Sequence, residues 1–211
     1  MNNNSADRLP AEAAPSGAGS ADWRELHLPW PDFTTAPPPQ PAAPRVRWKT
    51  ADGFLHWEIT CQLPLADRST FEKSTGFVEG LWEQDLVECF LADSRTGEYV
   101  EYNFSPNGHA WWAAHFTAPR VRHNAQPTPE SFQPRFRTTW HATGWTAAIR
   151  VPLAAPGSTA ESASGFDKFN LTAVRHTPEG PLYHSLAALQ SGRPDFHLPG
   201  FWLPLKADES R

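Results

Sequence analysis

At 211 residues the chain is long enough for one domain with a proper buried core. Its 22 prolines disfavour long helices, and its 10 tryptophans, within an aromatic content of 12%, favour half-buried pleated surfaces. A formal net charge of −5 and a pI near 6.0 give no basic field for nucleic acid, and no apolar run reaches the ~18 residues of a membrane span.

Residues 1–22 are rich in Asn, Ala, Ser and Gly with little to bury, so a disordered tail is expected there. The opening Met-Asn-Asn-Asn-Ser lacks the apolar core of a secretory signal. Residues 23–44 read as a proline-rich leader. Leu26, Leu28, Trp30 and Phe33 suit a first edge strand, and the prolines from Pro37 to Pro44 suit a stiff extended connector. From residue 45 to 206 the strand pattern takes over.

Val46–Lys49 and Phe54–Leu63 flank Asp52-Gly53, a hairpin turn signal. A polar loop over Asp67–Gly80 is followed by strands at Leu86–Leu91, Tyr99–Ser105 and Trp111–Thr117. The last two are joined through Ser-Pro-Asn-Gly. Arg135–His141 and Gly144–Val151 form another expected hairpin, and Ala154–Asp167 a second loop. Asn170–His176 and Leu182–Leu189 pair across Pro178-Glu-Gly180, and Pro194–Leu205 closes the domain. Short strands with regular turn signals, no convincing helix and no internal repeat predict an all-β antiparallel sandwich. Cys61 and Cys89 lie 28 apart in strand-like runs without a CxxC spacing, which suits buried reduced thiols and a cytoplasmic location.

The stretch with most chemistry is Leu81–Leu91 followed by Tyr99–Gly108. A strand sends alternate side chains to opposite faces, so Val100, Tyr102 and Phe104 share one face while Glu101, Asn103 and Ser105 share the other.

Leu81-Trp82-Glu83…Glu88-Cys89-Phe90-Leu91, then Tyr99-x-Glu-x-Asn-Phe-Ser-Pro-x-Gly108 and Trp112-Ala113-Ala114, resemble the bacterial DOMON-like proteins, relatives of the family 9 carbohydrate-binding modules. Gly144-Trp145…Ile149-x-Val-Pro152, Leu171–Val174 with Gly180…Tyr183, and Pro194-Asp-Phe-His197 fit the same pattern in the same order. The resemblance covers residues 45–205 and implies a jelly-roll or immunoglobulin-like β-sandwich with a ligand site on one sheet or at its rim. It implies no enzyme activity. It places Trp82 and Glu88, six residues apart, in a sugar-binding slot, with Glu101, Asn103 and Ser105 on the next strand. Where the DOMON-like pattern has a late Tyr-Trp pair, this chain reads Tyr183-His184.

An aromatic plane suits the C–H face of a sugar, and carboxylates and carboxamides suit its hydroxyl edge. Trp82, Glu88, Glu101 and Asn103 supply both, with Trp111 or His184 as a second wall; the expected partner is a small sugar or related polar ligand. The same alternation is also that of an ordinary sheet with a solvated polar face, and then the chain is a structural or protein-interaction domain without a small ligand. Arg120 and Arg122 suit an anionic ligand group or a solvated loop. His184, His197, Asp195 and His115 lack the tight spacing of a metal site, so no metal or other cofactor is expected. Haem ligation by Met and His is excluded because the only methionine is Met1, which leaves bis-His ligation open. Glu88 and Glu101 are the carboxyls a glycan-acting enzyme would need, but no serine elbow, Walker loop or dinucleotide fingerprint is present.

Overall fold

The computed structural model describes residues 24–27, 44–62, 75–125, 128–156, 165–177, 180–189 and 194–205. The expected tail over 1–22 and most of the leader lie outside them. The strands in chain order are β1 (Arg24–His27), β2 (Arg45–Ala51), β3 (Phe54–Gln62), β4 (Gly76–Phe77), β5 (Leu86–Ala92), β6 (Tyr99–Phe104) and β7 (Ala110–Ala118). They continue with β8 (Val121–Arg122), β9 (Arg135–His141), β10 (Gly144–Pro152), β11 (Lys168–Thr177), β12 (Gly180–Ser185) and β13 (Leu203–Pro204). Helix among the described residues is confined to 3-10 turns at Leu81–Glu83 and Pro199–Phe201 and one α-turn at Pro129–Phe132.

One sheet runs β1-β2-β3-β10-β9; the other runs β12-β11-β5-β6-β7-β4, with β13 on β11 and β8 on β7. Every pairing is antiparallel except the short β4–β7 contact. The Asp52-Gly53 turn works as its residues dictate, with φ of 51° and 77° at the two corner positions. Gly144 is required for a different reason. Its φ is 153°, and a Cβ there would stand 2.0 Å from the Cys61 carbonyl oxygen on β3.

Alternation builds the core. Val46, Trp48, Leu55, Trp57, Ile59, Trp145, Ala147 and Ile149 of the first sheet meet Val87, Cys89, Leu91, Val100, Tyr102, Phe104, Leu171 and Ala173 of the second. Each fully buried large side chain contributes about 1.5–3 kcal/mol. Cys61 and Cys89 sit in different sheets as free, buried thiols.

The outer face of the second sheet departs from simple alternation. Leu86, Phe90, Tyr99, Trp112, Ala114 and Phe116 form a second apolar cluster, covered by Leu81, Phe196 and Trp202. The Trp202 indole N–H donates to the Phe196 carbonyl at 3.1 Å, which holds the covering segment in its fold. β5 and β6 are therefore buried on both faces. The polar residues on that face are enclosed rather than washed by solvent.

Candidate functional site

Register fixes what the outer face presents. Glu88 on β5 lies opposite Asn103 on β6 and Thr172 on β11, while Glu101 lies opposite Phe90 and Ala114. Glu88 and Glu101 are thus diagonal neighbours on adjacent strands, pointing the same way. Above them opens a hollow of about 400 Å³, lined by both carboxyls, Trp82, Trp112, Phe116, Arg120, Arg122, Val174, His176, Tyr183 and the segment Pro194–His197. That volume lies in the range of small-ligand sites.

Both carboxyls are buried, with 5% of their surface exposed. Thr172 donates its hydroxyl proton to Glu88, and the Asn103 amide donates to Glu101 at 3.0 Å. Burial, reinforced by the neighbouring Glu101 charge, pushes the Glu88 carboxyl up to about 8. Burial likewise pushes Glu101 up to about 7, against the opposing pull of its Asn103 hydrogen bond and of Arg122 and Arg120. Near neutral pH this floor holds protons that ordinary carboxyls would have released.

The walls are tied down. Trp82 and Trp112 meet edge to face at 4.9 Å and 70°, forming a corner rather than a parallel clamp. The Arg122 guanidinium lies 5.3 Å from the Trp82 ring and 4.8 Å from the Trp112 ring. Glu79 joins the two by accepting from Arg122 at 2.9 Å and from the Trp112 indole at 2.7 Å. Opposite, Arg120 pairs with Asp195 at 2.9 Å, and its backbone N–H donates to the Tyr99 hydroxyl at 3.0 Å. His197 sits 2.8 Å from that hydroxyl through Nδ1 and 3.6 Å from Glu101 through Nε2. Burial, with Arg120 nearby, holds His197 at about 4, so it is neutral. On the third side Asp85, itself buried, accepts from the backbone and ring of His176. Trp82 remains open at the rim, with 39% of its surface exposed.

Of the residues singled out from sequence, Trp82, Glu88 and Glu101 meet in this hollow. Asn103 lies wholly buried behind it, gripping Glu101. Ser105 belongs to the turn after β6, where its hydroxyl accepts from the Asn107 backbone at 3.4 Å. Trp111 and His184 are placed elsewhere. Trp111 shares the inward face with Ala113 and packs against the inter-sheet core and Phe77, while His184 is paired with core-facing Ala173. Their chain neighbours Trp112 and Tyr183 stand on the hollow instead. Because strand side chains alternate, a one-residue error of phase exchanges the faces. The wall residues Phe116 and His176, and Glu79 bracing Trp112 and Arg122, carry no sequence signal for the site; only the register brings them in. Asp195 and His197 lie at the hollow, while His184 and His115 lie on the opposite face. Among the described residues no group of three or more metal-ligating side chains forms. No helix among them is long and apolar enough to cross a membrane.

No protein-family model matches the chain. A curated relative, the UPF0462 protein C4orf33 homolog of Danio rerio, is 30% identical over 127 residues, which is 56% of this chain and 57% of that protein. The chain thus matches a little over half of the relative's length. Among solved structures, a "putative carbohydrate-binding protein" of Bacteroides uniformis superposes with a TM-score of 0.61 at 16% identity, over 86% of this chain and 84% of that one. A family 9 carbohydrate-binding module of Caldicellulosiruptor kristjanssonii in complex with glucose gives a TM-score of 0.47 at 12% identity, over 75% and 72%. At 16% identity the fold is what the chain shares with the first of these. The chain is an antiparallel β-sandwich, with a ligand-sized hollow on the outer face of one sheet.

Proposed function

We propose that this hollow binds a small neutral carbohydrate without transforming it, and that residues 45–206 form a DOMON-like binding domain working in the cytoplasm. The observation that carries the reading is the open Trp82 indole beside two buried carboxyls in one hollow. In this reading Glu88 and Glu101 accept sugar hydroxyls, Trp82 packs on the C–H face, and Asn103 acts as a positioning residue for Glu101. Each such hydrogen bond contributes about 0.5–1.5 kcal/mol while the carboxyl is protonated and about 1.5–3 kcal/mol once it ionises.

Charge supports a neutral ligand. Asp195 and Glu79 already engage the guanidiniums of Arg120 and Arg122, His197 is neutral, and Glu88 and Glu101 retain protons near neutral pH. A ligand therefore brings no charge the site needs. Binding without turnover is separated from hydrolysis by assay, with no release of reducing sugar from oligosaccharides expected.

Intrinsic tryptophan fluorescence titrated with a panel of mono- and disaccharides tests the reading. A saturable response is expected, weakened about tenfold or more by Trp82→Ala and by Glu88→Gln while the fold is retained. A flat response to every sugar, or one that ignores both variants, would sink it.

A further inference from the structure

We propose that the exposed face of the first sheet is a second binding surface, for an acidic polysaccharide bearing carboxylate or sulfate groups. Three cross-strand rows make up this face. Arg135, Arg150, His56 and Lys49 line up across β9, β10, β3 and β2, and Arg137, Ala148, Glu58 and Arg47 form the next row. Thr139, Thr146, Thr60 and Arg45 make the third. Rows of this kind stand about 7 Å apart along a strand, with strands about 4.8 Å apart, so the cations form a flat lattice.

Glu58 supplies a carboxylate within these rows, the register sets Glu25 of β1 opposite Arg47, and Asp52 stands at the β2–β3 tip, so the β9–β10 side with Arg135, Arg137 and Arg150 carries the cationic excess. This concentration of cations belongs to a chain of net charge −5. The small Ala148 leaves a hollow of about 310 Å³ lined by His56, Glu58, Arg135, Arg137 and Arg150. Arg150 lies 3.5 Å over the Phe54 ring, and its Nε has no hydrogen-bond partner among the described residues; neither does His56 Nε2. Burial holds His56 below its ordinary range, and the charges of Arg150 and Lys49 add to that, as expected in a positive field.

The mixture of groups selects the partner. Guanidiniums fit planar carboxylate or tetrahedral sulfate, whereas Glu58 and the threonine row accept hydroxyls. Glu58 is bound at 2.7 Å by Arg47 and would repel a continuous run of phosphates. Single-stranded nucleic acid needs open aromatic platforms, and the Phe54 ring is covered by Arg150. A polymer with both hydroxyls and spaced anions meets Arg135, Arg137, Glu58 and the threonine row together.

The full chain at pH 7.5 would be titrated with chondroitin sulfate, polygalacturonate, uncharged dextran and a 20-nucleotide DNA strand. Binding of either acidic polysaccharide is expected, weakening with added salt, with none of dextran or DNA at equal concentration. Arg135→Gln/Arg137→Gln alters two exposed side chains and should weaken that binding about tenfold, as the loss of two surface ion pairs would. Trp82→Ala should leave it unchanged, which separates this surface from the hollow on the other sheet. Binding of neither acidic polymer, equal binding of DNA, or an undiminished double variant would overturn the proposal.

Discussion

Replacing Glu88 by glutamine should stabilise the protein at alkaline pH while weakening its ligand. In the unfolded chain both floor carboxyls lose their protons near the ordinary 4.5, whereas in the fold Glu101 keeps its proton to about 7 and Glu88 to about 8. The folded state therefore binds more protons across that window. Stability is full below about 4.5 and falls as pH rises towards 8. Each pH unit over which one such proton is retained is worth about 1.4 kcal/mol, so for Glu88 the effect is on the order of 4 kcal/mol. Glutamine keeps an oxygen for the Thr172 hydroxyl and removes the ionisation. At pH 8 the variant should gain about 2–4 kcal/mol, or roughly 10 °C in Tm, with little change at pH 5. His197 works in the opposite sense. Its folded value of about 4 lies below the ordinary 6.5, so its contribution is lost as pH falls between those values. Urea unfolding at pH 5, 6, 7 and 8 reads the slopes directly. Wild-type stability that is flat or rising from pH 5 to 8, or an identical slope in Glu88→Gln, would refute the reasoning.

Trp111→Ala should lower stability by about 1–3 kcal/mol in denaturant unfolding yet leave any sugar affinity unchanged, because that indole packs inward against Phe77. Asn103→Ala removes the hydrogen bond that holds Glu101 down, so the pH dependence of ligand binding should move upward, read from titrations across pH 5–9. Gly144→Ala places a Cβ 2.0 Å from the Cys61 carbonyl and should cost about 3 kcal/mol or more, measured as lost soluble protein or a collapsed Tm. Cys61, pushed up to about 12 by burial, and the equally buried Cys89 should react with a thiol reagent only after denaturant is added.

The architecture was legible because turn residues and alternation speak locally. Asp52-Gly53 announced the β2–β3 hairpin, and the run Tyr99–Phe104 sorted its inward and outward residues correctly. The first edge strand was visible only in outline: its expected span from Trp23 to Phe33 contains the four residues of β1, paired with β2. The site was less legible, and the reason is phase. Trp111-Trp112 and Tyr183-His184 each offer two plausible side chains, and one residue of register decides which faces the hollow. That register is set by pairings such as Glu101 with Ala114 and Val174 with Tyr183, which no local motif encodes. Enclosure of the polar face was hidden too. It comes from Phe196, His197 and Trp202, about 100 residues along the chain from β6, folding over the sheet. Arg120 and Arg122, read as residues that could reach a ligand, do line the hollow.

Indole N–H resonances followed by NMR during addition of the best-binding sugar test the central claim most directly. The account predicts that the Trp82 and Trp112 signals shift saturably while those of Trp57 and Trp145, sealed between the sheets, stay fixed. Shifts centred on Trp111, or none at any sugar concentration, would contradict it.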